Sequence, residues 1–305
     1  MTRCHARSIR LVALLFAGVL LALAPTHRVV TLAQSTPEWT LLVPPADGVP
    51  EHAVFVPRQL REASERGDAS ASAPVLVALH GMGDSGPVFA ARLLAQAELD
   101  GTVVVAPTFA YGDWTALSVA QEDLQLTQQI LALLDVLPTE TDGVPVATDR
   151  VQLIGFSRGA QLAHRFALVH PDRTNEVAVF SAGTYTLPDR SQRASLPFGT
   201  ADLQTFLGHP LDLDALRHVH FLVGVGLLDA NPADLPRAWD PYEGSTRVQR
   251  ARAFVGALQA DGVPAELRVF AGVGHDLSAG MITQGMAFLD AATSTADVHC
   301  AQGCG

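Results

Sequence analysis

Six short apolar runs recur along the chain with room for a helix between most of them, and this rhythm constrains the fold more than any other feature. The runs are VLVALH (75–80), GTVVVAP (101–107), RVQLIGF (150–156), EVAVFSAG (176–183), HFLVGVG (220–226) and ELRVFAG (266–272). They are rich in valine and nearly continuous in hydrophobicity, as strands covered on both faces must be. Helical patterns fall between them at 87–99, 118–137, 158–170 and 246–260, with a last one at 278–292. In the second of these, Leu124, Ile130, Leu131 and Leu134 share one face while Gln125, Gln128 and Gln129 take the other. Strands alternating with helices pair in parallel through right-handed crossovers, so the expected fold is a three-layer α/β structure around a mostly parallel central sheet.

The remaining segments fit around that frame. EHAVFVPRQL (51–60) alternates and then breaks at a proline, as an edge strand of a hairpin would, and the charged, small-residue stretch 61–74 reads as an exposed loop. Residues 184–219 are apolar without clean periodicity and are expected to form a short insertion over the strand ends rather than a large lid. At the start, Arg3, Arg7 and Arg10 precede 14 residues, Leu11 to Ala24, that carry no charge. This is the pattern of a signal peptide, too short for a comfortable span, and Ala33 before Gln34 offers a cleavage point; an uncleaved membrane anchor is the alternative. Residues 34–305 are then expected to form one domain, acting in a secreted or extracytoplasmic setting.

Without residues 1–33 the chain has 16 arginines against 31 acids, a net charge of −15, which repels phosphate backbones and argues against a nucleic-acid partner. There is no lysine, so Schiff-base and phosphate-loop lysine chemistry is excluded. No histidine–carboxylate grouping has zincin spacing, and neither a metal nor a cofactor is expected. Cys300 and Cys304 lie in the tail HCAQGCG, where a local disulfide or two free thiols are both open.

In α/β sheets, reacting groups gather at the carboxyl ends of the strands. The run at 150–156 ends in Gly155-Phe156-Ser157-Arg158-Gly159, a G-x-S-x-G sequence between a strand and a helix. That context forces the serine into an unusual backbone conformation with its hydroxyl exposed, and makes Ser157 the candidate nucleophile. A serine needs a base, and His275 in FAGVGHDLS follows the last strand on a loop of small residues. The acid that orients it should lie between them in the chain. Asp229, just past the strand at 220–226, is preferred, with Asp234 further into the loop as the alternative. Two backbone donors are expected to hold the oxyanion, one from Arg158 and one from Met82 in the glycine-rich turn HGMGDSG, with His80 supporting that turn. Tyr111, Trp114 and Trp239 are candidate walls of a substrate pocket.

HGMGDSG, GFSRGA, GLLDANP and GVGHD, in that order and at those strand ends, resemble the α/β-hydrolase superfamily. Within it the chain looks nearer to small secreted esterases of the polyhydroxybutyrate-depolymerase, feruloyl-esterase and dienelactone-hydrolase type than to large-lidded lipases. The resemblance covers about residues 50–292. It implies a carboxylic-ester hydrolase with a Ser157–Asp229–His275 triad, an acyl-enzyme intermediate and a small-molecule or polymeric ester as substrate. A serine peptidase of the same fold is the alternative, and a catalytically silent binding protein is disfavoured because no triad member is missing. The chain departs from such relatives at Arg158, where they often carry a smaller or apolar residue; its side chain could attract an acidic substrate or simply pair with an acid.

Overall fold

A computed structural model describes residues 41–68, 71–188 and 194–302, the last eleven of these as helical backbone only. The signal-peptide or anchor reading of residues 1–33 and the thiols of Cys300 and Cys304 therefore lie outside the described residues. Among those described, no helix is long and apolar enough to cross a membrane.

One eight-stranded sheet organises the chain. Its strands are β1 (Leu41–Val43), β2 (His52–Phe55), β3 (Ala73–Leu79), β4 (Val103–Pro107), β5 (Val146–Phe156), β6 (Thr174–Phe180), β7 (His220–Gly226) and β8 (Ala265–Phe270). They lie in the order β1-β2-β4-β3-β5-β6-β7-β8; β2 runs antiparallel to both its neighbours, β1 and β4, and the remaining pairings are parallel. The helices are α1 (Arg58–Glu65), α2 (Gly86–Ala90), α3 (Leu94–Asp100), α4 (Val119–Val136), α5 (Arg158–Val169), α6 (Leu203–Leu207), α7 (Leu213–Leu216), α8 (Asp240–Glu243), α9 (Arg247–Ala260) and α10 (Ala279–Gln302).

Successive strand side chains point to opposite faces, and each face has its own core. On one side Val75, Val77 and Leu79 of β3 pack with Ile130 and Leu133 of α4, Phe166 of α5 and Phe254 of α9. On the other, Leu76 and Ala78 pack with Phe89, Leu94, Met281 and Leu289 from α2, α3 and α10. The sheet is thus sandwiched between helices, as the strand rhythm requires.

Three local expectations are corrected. The strand in 51–60 is not an edge, because β2 is flanked by β4 and by β1, a short strand that lacks a legible pattern. Residues 58–65 form α1 rather than loop, although none of its residues is fully buried. The helix expected over 87–99 is two pieces, α2 and α3, broken at 91–93. The insertion at 184–219 carries only the short helices α6 and α7 among its described residues.

A buried acid sits near the start of β6. Glu176 is 8% exposed, and burial pushes its carboxyl up to about 7 against the smaller opposing effects of the Gln152 amide and the Arg150 charge. Between the ordinary value of 4.5 and about 7 the unfolded chain has lost this proton while the folded chain keeps it, so stability falls as pH rises through that window. Glu176→Gln should remove the slope and stabilise the protein by about 2 kcal/mol at pH 8. Urea unfolding of both proteins at pH 5 and pH 8 checks this; parallel pH dependences would refute it.

Candidate active site

The turn from β5 into α5 is set by close backbone approach. A Cβ at Gly155 would lie 2.5 Å from the Gly159 carbonyl oxygen, and one at Gly159 only 2.0 Å from that of Leu79 in β3. Only glycine fits at either position. Between them Ser157 adopts φ 53°, ψ −113°, a conformation that costs a non-glycine residue on the order of 1–3 kcal/mol. The strain is held by hydrogen bonds: Ser157 N–H donates to Phe180 O at 2.9 Å, and Gln161 N–H donates to Ser157 O at 3.2 Å.

Ser157 Oγ lies 3.0 Å from His275 Nε2, and His275 Nδ1 lies 2.8 Å from Asp229 Oδ2. The last two residues come from loops that are laced together. Leu227 N–H donates to Phe270 O and Leu228 N–H to Val273 O, both at 2.9 Å. Gly226 permits that lacing, since a Cβ there would come within 2.3 Å of the Val273 oxygen. The imidazole, 36% exposed, rests against the Phe156 ring at 5.1 Å between centroids. Asp229 is buried, and its other oxygen takes a 2.9 Å bond from Arg247 Nη1. Burial alone would raise the Asp229 carboxyl, but the His275 bond and the Arg247 charge outweigh it and hold the group below its ordinary value. The acid therefore stays ionised, and the imidazole is kept with its proton on Nδ1 and Nε2 free to accept from the serine.

A narrow cleft opens beside Ser157, lined by Met82, Trp114, Arg158, Gln161, Gly183 and Arg247. Met82 and Arg158 both border it, and among the described residues neither backbone N–H is committed to a hydrogen bond. His80 is fully buried, donating from Nδ1 to Gly81 O at 2.7 Å and accepting from Phe109 N–H at 2.9 Å. Burial lowers its pKa, so it is a neutral strut for the turn that carries Met82.

The other sequence candidates fall in different places. Trp114 lines the cleft. Tyr111 does not: its ring lies 4.6 Å under the Arg158 guanidinium and packs on His80 and Phe109. Trp239 is fully buried against Phe198, away from the serine, because the loop after Asp229 turns back into the core. Asp234 is bonded to Asn231 within its own loop, leaving Asp229 as the acid beside His275. The Arg158 side chain is 1% exposed, with Nη2 at 2.8 Å from Glu122 and 2.6 Å from Asp123, so it pairs with acids. Sequence reasoning missed Arg247, Gln161 and Gly183. Gln161 lies in the first turn of α5 and Arg247 opens α9, and nothing in their spacing sets them apart from surface residues.

This sheet order, with its antiparallel second strand and with the strand–serine–helix turn at the middle of the sheet, is the α/β-hydrolase fold. Compared with protein-family models and with curated protein sequences, the chain matches none. Solved structures do match. Poly(aspartic acid) hydrolase-1 from Sphingomonas sp. KT-1 superposes with a TM-score of 0.59 at 18% identity, over 78% of this chain and 92% of that one. The poly(3-hydroxybutyrate) depolymerase LpqC from Bordetella parapertussis gives 0.59 at 23% identity, over 79% and 83%. A ferulic acid esterase from the anaerobic fungus Anaeromyces mucronatus gives 0.55 at 15% identity, over 88% and 95%. The likeness is one of fold.

Proposed function

We propose that the protein is a serine hydrolase that cleaves carboxylic esters through an acyl-enzyme intermediate. The observation that carries this reading is the unbroken chain Ser157–His275–Asp229, at 3.0 and 2.8 Å, with the serine held at φ 53° beside two uncommitted backbone amides. Ser157 Oγ attacks the ester carbonyl carbon as its proton passes to His275 Nε2. The carbonyl oxygen takes up the negative charge and receives hydrogen bonds from the Met82 and Arg158 N–H groups. His275 then gives its proton to the departing alcohol, leaving Ser157 acylated. Water, deprotonated by the same nitrogen, attacks the acyl carbon and releases the acid. Asp229 stays ionised throughout and stabilises the imidazolium; Arg247 braces it.

The fold neighbours include a poly(3-hydroxybutyrate) depolymerase and a ferulic acid esterase, which favours esters as substrates. Export of the chain, on the arginine-flanked apolar run of residues 11–24, would bring it to such substrates outside the cytoplasm. A fluorophosphonate probe should label the folded protein once per chain at Ser157, with 4-nitrophenyl acetate turnover falling in step with labelling. Folded protein that neither reacts with the probe nor turns over the ester would end this reading.

A further inference from the structure

We propose that the cleft beside Ser157 is a subsite for a carboxylate carried by the acyl half of the ester, read by Arg247 and Gln161; this rests on the esterase reading above. The cleft lies on the side of Met82 and Arg158 and does not include His275. The alcohol leaves toward His275, which protonates it, so the group seated in the cleft is the acyl chain. The cleft is narrow, which restricts that chain to a short one.

Its polar wall is made of hydrogen-bond donors whose capacity is unspent. Arg247 is 5% exposed and gives Nη1 to Asp229, while Nε is buried with no partner and Nη2 forms no hydrogen bond among the described residues. Nε and Nη2 are the edge of a guanidinium that binds a carboxylate with two parallel bonds. Gln161, 1% exposed, adds a third donor. Thr184 Oγ1 accepts from Arg165 at 3.0 Å, so its own proton goes to Gln161 Oε1 at 3.1 Å. That bond fixes the amide orientation and turns Nε2 toward Gly183, where it sits 3.1 Å from the position a Cβ would take.

The acceptors nearby are already used. Glu122 and Asp123 hold Arg158, and Asp123 also holds Arg165. Asp229 divides its oxygens between His275 and Arg247, and the Gly183 carbonyl accepts from Arg250 at 2.7 Å. A buried donor left unpaired costs about 1–3 kcal/mol, so an alkyl chain in this cleft leaves Arg247 and Gln161 unsatisfied while a carboxylate pairs them together. Gly183 keeps this narrow cleft open, since a Cβ there would stand 2.6 Å from Trp114 Cζ3.

The test compares mono-(4-nitrophenyl) succinate with 4-nitrophenyl butyrate, which has the same acyl carbon count and leaving group. The wild-type protein should favour the succinyl ester by at least about tenfold in kcat/KM. Arg247→Gln should slow both esters, because Asp229 loses its brace, and should also lower the succinyl-to-butyryl ratio about tenfold or more; a purely structural role moves both esters alike. Gln161→Met, which cannot affect the Asp229 brace, should lower the ratio too. Butyrate preferred by the wild type, or a ratio unchanged in both variants, would overturn the subsite while leaving the esterase intact. Absence of turnover on both esters together with an unlabelled Ser157 would bring down the esterase reading itself.

Discussion

Ser157→Ala should lower kcat/KM toward simple esters by on the order of 10⁴-fold or more, with a melting temperature close to that of the wild type. Alanine removes the nucleophile and the 3.0 Å contact to His275 but inherits the same backbone conformation, so it neither relieves the strain nor disturbs the packing. Ser157→Gly separates the two effects. Glycine adopts φ 53°, ψ −113° without penalty, so this variant should be equally inactive yet more stable by about 1 kcal/mol after the extra entropy of the unfolded chain is deducted. Ester turnover with thermal unfolding of the three proteins decides the matter. An active alanine variant would remove Ser157 from the chemistry, and a glycine variant less stable than the alanine one would show that the turn is not strained.

Gly159→Ala should be the most damaging single-methyl change, costing about 3 kcal/mol or more. The added carbon would stand 2.0 Å from the Leu79 oxygen and 2.4 Å from that of His80, both backbone atoms at the end of β3. No side chain can rotate to make room, so α5 must lift off the sheet and carry Ser157 with it. Gly256→Ala is the matched control. That glycine is exposed in α9 with nothing within 4 Å of a built Cβ, and alanine there should stabilise by about 1 kcal/mol. Urea denaturation should displace the two midpoints in opposite directions; a Gly159→Ala protein as stable as the wild type would contradict the close approach.

The parts of the architecture carried by periodicity were legible in the residues. Strands buried on both faces must be apolar throughout, so β3 to β7 announced themselves, and the helices between them required parallel pairing; β8, the edge strand with no buried residue, was legible from its place in the rhythm and not from burial on both faces. What escaped was whatever lacks a period. β1 is three residues long, and α1 is a charged helix with no fully buried residue, so neither leaves a mark beyond that of a loop. The residues that the structure brings together as Ser157, Asp229 and His275 could be named because each follows a strand directly, where the fold leaves little freedom.

The pocket wall was decided by tertiary structure alone. Trp239, chosen for its size and its place after Asp229, goes into the core, and Tyr111 is spent on Arg158. For the Arg158 side chain the sequence left a substrate contact and an acid pair both open, and Glu122 and Asp123, within 3 Å of its guanidinium from α4, make it the pair. Arg247 looked like any helix surface residue and lies between Asp229 and the cleft. Sequence alone determined the strand rhythm, the G-x-S-x-G turn and the order of serine, acid and histidine, since these depend on local backbone geometry and on burial that repeats along the chain. Which arginine pairs with an acid and which keeps donors to spare depended on the packing of α4, α5 and α9 against one sheet, and a side chain's partners across such contacts have no spacing in the sequence to reveal them.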